Sequence, residues 1–344
     1  MIHMNTSTNH QPEKLKDILV DPQSPFESLH LEGVNLRGRD LLTLQDFSND
    51  EIWKILKTTH KLKHGGPAGE VEHILKGKSI LLLFQKSSTR TRVSFEVAIQ
   101  QLGGRSIYLG WSEAQLGRGE TVADTARVLS RYVHGVVARV YRQSDLEEMA
   151  KYASIPVINA LSDLFHPCQI VADLYTLWER RGTLEGLKLA YIGDGNNVCN
   201  SLLIGCSKLG VDISVACPPD YRPYERAIEW SIENSRESGS EVEILEDPVE
   251  AARGADVIYT DVFVSMGAEA ERERRLKVFM PRYQVTRKLF EYAAEDAVFM
   301  HCLPAHRGEE VTDDVIDGPR SIVWDQAENR LHTAKAILAH IIRG

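Results

Sequence analysis

The sequence predicts an α/β protein of two doubly wound domains, each a parallel sheet flanked by helices, joined by bridging helices. Three observations carry that expectation. Short, continuously apolar runs such as Ile80 to Phe84 and Val136 to Val140 read as strands covered on both faces. Segments of helical periodicity alternate with them. The alternation occurs twice, before and after a long helical segment that ends at Gly182.

In chain order, residues 1–30 are polar and proline-punctuated and read as a flexible N-terminal tail. A helix is expected from about Asn49 to Lys63, then the strand Ile80 to Phe84. After it Val93, Val97, Phe95, Ile99 and Leu102 recur at helical spacing, and Gly103-Gly104 supplies a stop. Next comes a helix with Val122, Ala126, Leu129 and Val133 on one face, and then the strand Val136 to Val140. A helix opened by the capping-box pattern Ser144-x-x-Glu147 and the strand Val157 to Ala160 complete this half. The helix Ile170 to Arg181 leads into a second series, with strands at Lys188 to Ile192, Ile213 to Ala216, Val242 to Leu245, Val257 to Thr260, Val298 to His301 and Ser321 to Trp324. The chain thus divides into a first domain of 31–165 and a second of 166–326. An amphipathic C-terminal helix, Ala327 to Ile342 within 327–344, packs back onto the first domain. Phe263 to Tyr283, the one long irregular stretch with charge clusters, reads as a lid.

Bulk properties exclude several classes. The chain has 344 residues, 43% hydrophobic and 26% charged, with a formal net charge of -9. A nucleic-acid binder needs a basic surface, so that class is disfavoured. No apolar stretch approaches the roughly 20 residues of a membrane span, and the first 30 residues hold no signal core, so a cytoplasmic location is expected. The five cysteines show neither C-x-x-C pairs nor an even disulfide framework, and reduced thiols follow.

The chemistry concentrates at Ser87-Ser88-Thr89-Arg90-Thr91-Arg92, between the first strand and the helix after it. Free backbone N–H groups, the positive end of a helix dipole, hydroxyls and guanidinium forks together suit an anion with several oxygens. The alternative is that the hydroxyls cap the helix and the arginines make surface ion pairs. Arg139 lies in a strand otherwise suited to burial and needs either a bound anion or an internal carboxylate. His166 and Gln169, in His166-Pro167-Cys168-Gln169, stand at a helix N-terminus beside the carboxyl ends of the strands, where ligands gather in such sheets. Gly193-Asp194-Gly195-Asn196-Asn197 invites a dinucleotide reading, but Val198 replaces the third glycine and no ribose-binding acid follows the next strand. Asn196 and Asn197 are then side chains for a small polar molecule. Asp261, Ser265 and Met266 follow one strand and Cys302 another, all at the same sheet edge. His301, Cys302 and His306 form a further metal candidate without zinc-site spacing, and no metal is expected.

These motifs together resemble the ornithine carbamoyltransferases of the aspartate/ornithine carbamoyltransferase superfamily, over about Leu31 to Arg343. SSTRTR and HPCQ resemble the carbamoyl-phosphate signatures of the whole superfamily. DVFVSMG at 261–267 and HCLPAHRGEE at 301–310 resemble the ornithine branch. The resemblance implies carbamoyl transfer to the side-chain amine of L-ornithine, giving L-citrulline and phosphate, with no cofactor. It implies that Ser88, Thr89, Arg90 and Thr91 hold the phosphate and that Arg139 bridges phosphate and carbonyl oxygen. His166 and Gln169 would hold the carbamoyl group, with the carbonyls of Cys302 and Leu303 accepting its amide hydrogens and Arg330 reaching in from the last helix. Asn197, Asp261, Ser265 and Met266 would bind ornithine, with its reacting amine beside Cys302. Arg139, His166, Cys302 and Asp261 are the catalytic set so implied. The resemblance also implies a homotrimer, a cis Leu303-Pro304 bond, and a Gln115 donated to the neighbouring subunit's site.

Overall fold

A computed structural model describes residues 34–65, 73–265 and 267–342. The N-terminal tail therefore lies outside the described residues. Two all-parallel sheets organise the rest. The first contains β1 (Ser79–Phe84), β2 (Arg105–Gly110), β3 (Gly135–Arg139) and β4 (Val157–Leu161) in the order β2-β1-β3-β4. The second contains β5 (Lys188–Ile192), β6 (Asp212–Ala216), β7 (Val242–Leu245), β8 (Val257–Thr260) and β9 (Val298–His301) in the order β7-β6-β5-β8-β9. In both, the first strand in the chain has neighbours reached in opposite directions, which opens a crevice at the carboxyl ends of β1/β3 and of β5/β8.

The helices of the first half are α1 (Asn49–His64), α2 (Thr89–Gln101), α3 (Val122–Leu129) and α4 (Gln143–Tyr152). Ser48 and Glu51 cap α1 reciprocally, satisfying two of its free N–H groups. The helices that follow are α5 (Pro167–Arg181), α6 (Asn197–Lys208), α7 (Glu225–Ser238), α8 (Pro248–Ala252), α9 (Arg272–Phe279), α10 (Asp313–Ile316) and α11 (Val323–Ile341). Every residue of α5 from Pro167 to Trp178 is buried, because α1, α6, α11 and β4 surround it. Pro167 at its first turn and Gly182 at its end, with φ 76°, set its length. Helix α11 packs on α5, α1 and α2 and so returns to the first half of the chain. One apolar core runs through both sheets, from Leu82 and Val137 to Tyr191 and Val215. Among the described residues no helix is long and apolar enough to cross a membrane.

Several expectations are corrected. β2 was not anticipated from the sequence: it is an edge strand whose Arg105, Ser106 and Ile107 are exposed, and its apolar run is only the three residues Ile107-Tyr108-Leu109, none of them fully buried. Ser321 to Trp324 is not a strand. Residues 320–322 pair briefly with β9, through Phe299 N–H to Arg320 O (2.9 Å) and Ile322 N–H to Phe299 O (3.0 Å), and α11 begins at Val323. Asp325, in its first turn, suits the positive end of that helix. Ser144 does not cap α4. The helix begins one residue earlier, and the carboxylate of Asp163, distant in sequence, takes the Gln143 N–H at 2.8 Å. Phe263 to Tyr283 is not irregular throughout, since it contains a 3-10 turn and α9. Phe263 stacks on Phe279 with ring centroids 4.8 Å apart. On α2, Phe95, Ala98 and Ile99 are buried, but Val93 is 50% exposed.

Candidate active site

The two crevices face one another across a cleft of about 710 Å³. On the first side Ser88 precedes α2 and its Oγ accepts from the Thr91 N–H at 3.4 Å, so the hydroxyl caps the helix while Ser88, Thr89, Arg90 and Thr91 also line the cleft. The two readings of this turn divide between its arginines. Arg92 is the structural one: it donates to Glu96 at 3.0 Å and lies 3.7 Å from the centre of the Tyr108 ring. Arg90 faces the cleft.

Arg139 ends β3 beside Phe84 and joins Arg90 in the cleft, as does Arg330 from α11. Arg139 makes no ion pair among the described residues, and its Nε is buried without a partner. The internal-carboxylate alternative therefore fails. Burial, reinforced by Arg330, lowers the Arg139 pKa to about 10. Burial likewise lowers those of Arg330 and Arg90, each of which repels its cationic neighbours. Arg330 donates through Nη1 to Gln169 Oε1, while its Nη2 is buried and unpartnered. Three guanidiniums sharing a desolvated site with idle donors fit an anion of more than one charge.

His166 occupies the N-cap position of α5, but its side chain makes no cap bond; its backbone N–H donates to Ser201 Oγ at 2.8 Å. The ring faces the cleft with Nδ1 unpartnered. Burial, then Arg330, Arg139 and Arg90, holds its pKa well below the ordinary histidine value, so the imidazole is neutral at pH 7.

The opposite wall comes from the second sheet. Asp261 follows β8 and Cys302 follows β9, and the thiol donates to Asp261 Oδ1 at 3.1 Å. Burial and the Asp261 charge push the Cys302 pKa well above its usual value, so the group is a thiol and not a thiolate. Asp261 Oδ1 also accepts from the Val262 N–H at 2.8 Å, and Oδ2 accepts from Asn196 Nδ2 at 2.7 Å. Asn196 Oδ1 caps α6, accepting from the N–H groups of Val198 and Cys199. Asn196 thus caps α6 and holds Asp261 while lining the cleft beside Asn197. Asn197 lines the cleft and donates to Ser162 O at 2.6 Å, across to the end of β4. Leu303 has φ 58°, and the Leu303–Pro304 bond is cis as expected.

Ser265 lines the cleft and receives a bond from Asn196 at 3.2 Å; Met266 lies outside the described residues. Gln115 stands in a 3-10 turn and is not among the residues lining its own chain's cleft. The structure adds residues the sequence did not single out. Lys86 and Glu269, 3.0 Å apart, join the two walls at the mouth. Arg275 of α9 is buried against Asp194, whose Oδ2 also accepts from Ser265 at 3.0 Å. In the run Glu271-Arg272-Glu273-Arg274-Arg275 nothing local distinguishes the buried arginine from the solvated ones.

Packing bears on two alternatives. A Cβ at Gly195 would stand 2.2 Å from Pro223 N, so chain backbone fills the space a pyrophosphate would need. His301 Nδ1 accepts from the Leu303 N–H at 2.8 Å and Nε2 faces Glu310 at 3.3 Å, so both ring nitrogens are occupied within the chain.

Comparison with known proteins agrees with this geometry. Residues 39–179 match the family model "Aspartate/ornithine carbamoyltransferase, carbamoyl-P binding domain", and residues 185–341 match "Aspartate/ornithine carbamoyltransferase, Asp/Orn binding domain". The chain is 58% identical to an ornithine carbamoyltransferase of Pyrococcus horikoshii over 311 residues, covering 90% of this chain and 98% of that protein. It is 53% identical to one of Bacillus subtilis over 308 residues, covering 90% and 95%. The solved ornithine carbamoyltransferase of Pyrococcus furiosus superposes with a TM-score of 0.85 at 57% identity, covering 90% of this chain and 98% of that one. With both halves matched and both walls of the cleft carrying the expected chemistry, the chain belongs to the aspartate/ornithine carbamoyltransferase family.

Proposed function

We propose that this protein transfers the carbamoyl group of carbamoyl phosphate to the side-chain amine of L-ornithine, giving L-citrulline and phosphate, as a step of arginine biosynthesis. One observation carries the reading: three guanidiniums, Arg90, Arg139 and Arg330, with no ion pair among the described residues, face a carboxylate–thiol pair, Asp261 and Cys302, across a single cleft. A dianionic phosphate suits the first wall and an amine the second.

Ser88, Thr89, Arg90 and Thr91 hold the phosphate, and Arg139 spans phosphate and carbonyl oxygen. His166, Gln169 and Arg330 meet the carbamoyl group, with the carbonyls of Cys302 and Leu303 beside its amide. Asn197, Asp261, Ser265 and Met266 receive ornithine. The neutral amine attacks the carbamoyl carbon, negative charge grows on the carbonyl oxygen, the carbon–oxygen bond to phosphate breaks, and the amine proton leaves with the phosphate. The displacement balances without a cofactor. Charge stabilisation falls to Arg139, Arg330, Thr91 and the N–H of neutral His166. An amine with pKa near 10.4 is neutral in only about one molecule per thousand at pH 7.4, so activity rises on the alkaline side. Cys302, held as a thiol, orients the amine and does not deprotonate it.

The proposal includes a homotrimer in the cytoplasm, with Gln115 completing a neighbour's site. Its support is the exposed edge strand β2, where Ile107 is 47% exposed, with the exposed Val93 on neighbouring α2. Mixing inactive Gln115→Ala and Arg139→Met proteins under subunit exchange should restore activity, since hybrids form sites with both wild-type residues; no recovery would remove the shared site. The segment Phe263 to Tyr283 closes over ornithine as a lid, the mouth pair Lys86–Glu269 marking where it meets the first domain. The decisive assay supplies carbamoyl phosphate with ornithine, putrescine or aspartate. Citrulline from ornithine alone is expected, and turnover of aspartate or putrescine in preference would overturn the reading.

A further inference from the structure

Asp173, fully buried in α5, touches no substrate in the mechanism above, yet each of its hydrogen bonds leads to an element that carries a cleft residue. Its Oδ1 accepts from Gln169 Nε2 at 2.8 Å and from Gln326 Nε2 at 2.7 Å, and its Oδ2 accepts from the Tyr259 hydroxyl at 2.9 Å. Gln326 also donates to the Tyr259 oxygen at 3.1 Å and accepts from the His301 N–H at 3.0 Å. Tyr259 lies in β8, which leads to Asp261, and His301 ends β9 just before Cys302. Gln326 lies one turn before Arg330 on α11, and Gln169 one turn before Asp173 on α5.

An amide can sit either way round unless its neighbours decide. A carboxylate only accepts, so Gln169 must turn its nitrogen to Asp173 and its oxygen to Arg330, where Nη1 donates to it. Reversed, the amide nitrogen would meet the guanidinium donor to donor. We propose that Asp173 is a positioning residue for carbamoyl transfer: it sets the amide orientation of Gln169, through it the Arg330 guanidinium, and keys β8, β9 and α11 to the same point. Burial raises its pKa to about 6 and its three donors oppose that rise, so it remains an acceptor at neutral pH. The inference rests on the reading that Gln169 and Arg330 meet the carbamoyl group. A second reading, that Asp173 only stabilises the core, makes a different prediction.

The test compares Asp173→Leu with Asp173→Asn in the full chain, using inorganic phosphate as a probe of the Ser88–Thr91 cradle alone. Asparagine places its oxygen where Oδ1 stands and keeps both amides oriented, whereas leucine leaves no acceptor. Asp173→Leu should raise KM for carbamoyl phosphate and lower kcat, by about 100-fold in kcat/KM, the scale of losing one transition-state donor. The inhibition constant of inorganic phosphate should move by less than about threefold, and Asp173→Asn should stay within about tenfold of wild type. Met149→Ala, a buried truncation on α4 remote from the cleft, controls for lost stability and should leave KM unchanged. If Asp173→Leu is recovered only as aggregate, Asp173→Ala, which likewise leaves no acceptor, takes its place with the same expectations. Equal shifts in KM and in phosphate inhibition, or an Asp173→Asn protein as impaired as Asp173→Leu, would overturn the positioning role. Absence of citrulline from the wild-type protein would instead overturn the assigned reaction.

Discussion

Replacing Arg139 by methionine should make the ligand-free protein more stable while nearly abolishing turnover. The Arg139 pKa falls from 12.5 to about 10 because burial and the neighbouring Arg330 and Arg90 penalise its charge. A depression of that size corresponds to roughly 3 kcal/mol, an upper bound because the group keeps some solvent contact. The sign follows from its being a base with a depressed folded pKa. At neutral pH it is charged folded and unfolded, so the full penalty applies, and it is relieved only as pH rises past about 10. Methionine preserves most of the packing and removes the charge, so urea unfolding of the ligand-free variant should show a gain of about 1–3 kcal/mol. The cost appears in function: losing a donor aimed at the developing charge should lower kcat about 100-fold to 1,000-fold. Carbamoyl phosphate at about 100 times its dissociation constant should stabilise the wild type by about 2.7 kcal/mol and the variant far less at the same concentration. A variant less stable without ligand, or one retaining near-normal turnover, would show that Arg139 serves the fold and not the anion.

Four further outcomes follow from the same geometry. Arg139→Lys, which keeps the charge but not the two-pronged grip, should also cripple turnover, and near-normal steady-state rates would contradict the bridging role. The His166 ring should show no titration between pH 6 and 8 in NMR of histidine-labelled protein, because burial and three guanidiniums hold its pKa well below the ordinary histidine value; a midpoint near 6.5 would refute the neutral donor. Alkylation of Cys302 by iodoacetamide at pH 8 should be slower than that of free cysteine, and rapid labelling would revive a thiolate base. Arg275→Met leaves Asp194 buried without its partner, which should cost about 3–5 kcal/mol on urea unfolding and raise KM for ornithine more than for carbamoyl phosphate; equal changes in both constants would argue against its anchoring the Ser265 segment.

What could be read without coordinates was whatever depends on neighbours in the chain. Ile80–Phe84 is apolar at every position because β1 is covered on both faces, and a Ser-Ser-Thr-Arg turn directly after such a strand suits an anion as well as a helix cap. The order of strands and helices, the bridge of α5 and the return of α11 follow from periodicity in the same way. The edge strand β2 escaped because an exposed edge imposes no hydrophobic pattern, and Ser321–Trp324 misled because two pairing bonds to β9 are continued as helix. Only the folded chain could show how two adjacent asparagines that both line the cleft differ, since Asn196 caps α6 and holds Asp261 while Asn197 donates to Ser162 O. The same holds for Arg90 against Arg92, and for Arg275 within its charged run. The protonation of His166 and Cys302 was also beyond the sequence, because a pKa is set by burial and by charges brought close from distant segments. Composition supplies the charged and polar groups; their partners, and therefore their chemistry, exist only once β1, β3, β8, β9 and α11 converge on one cleft.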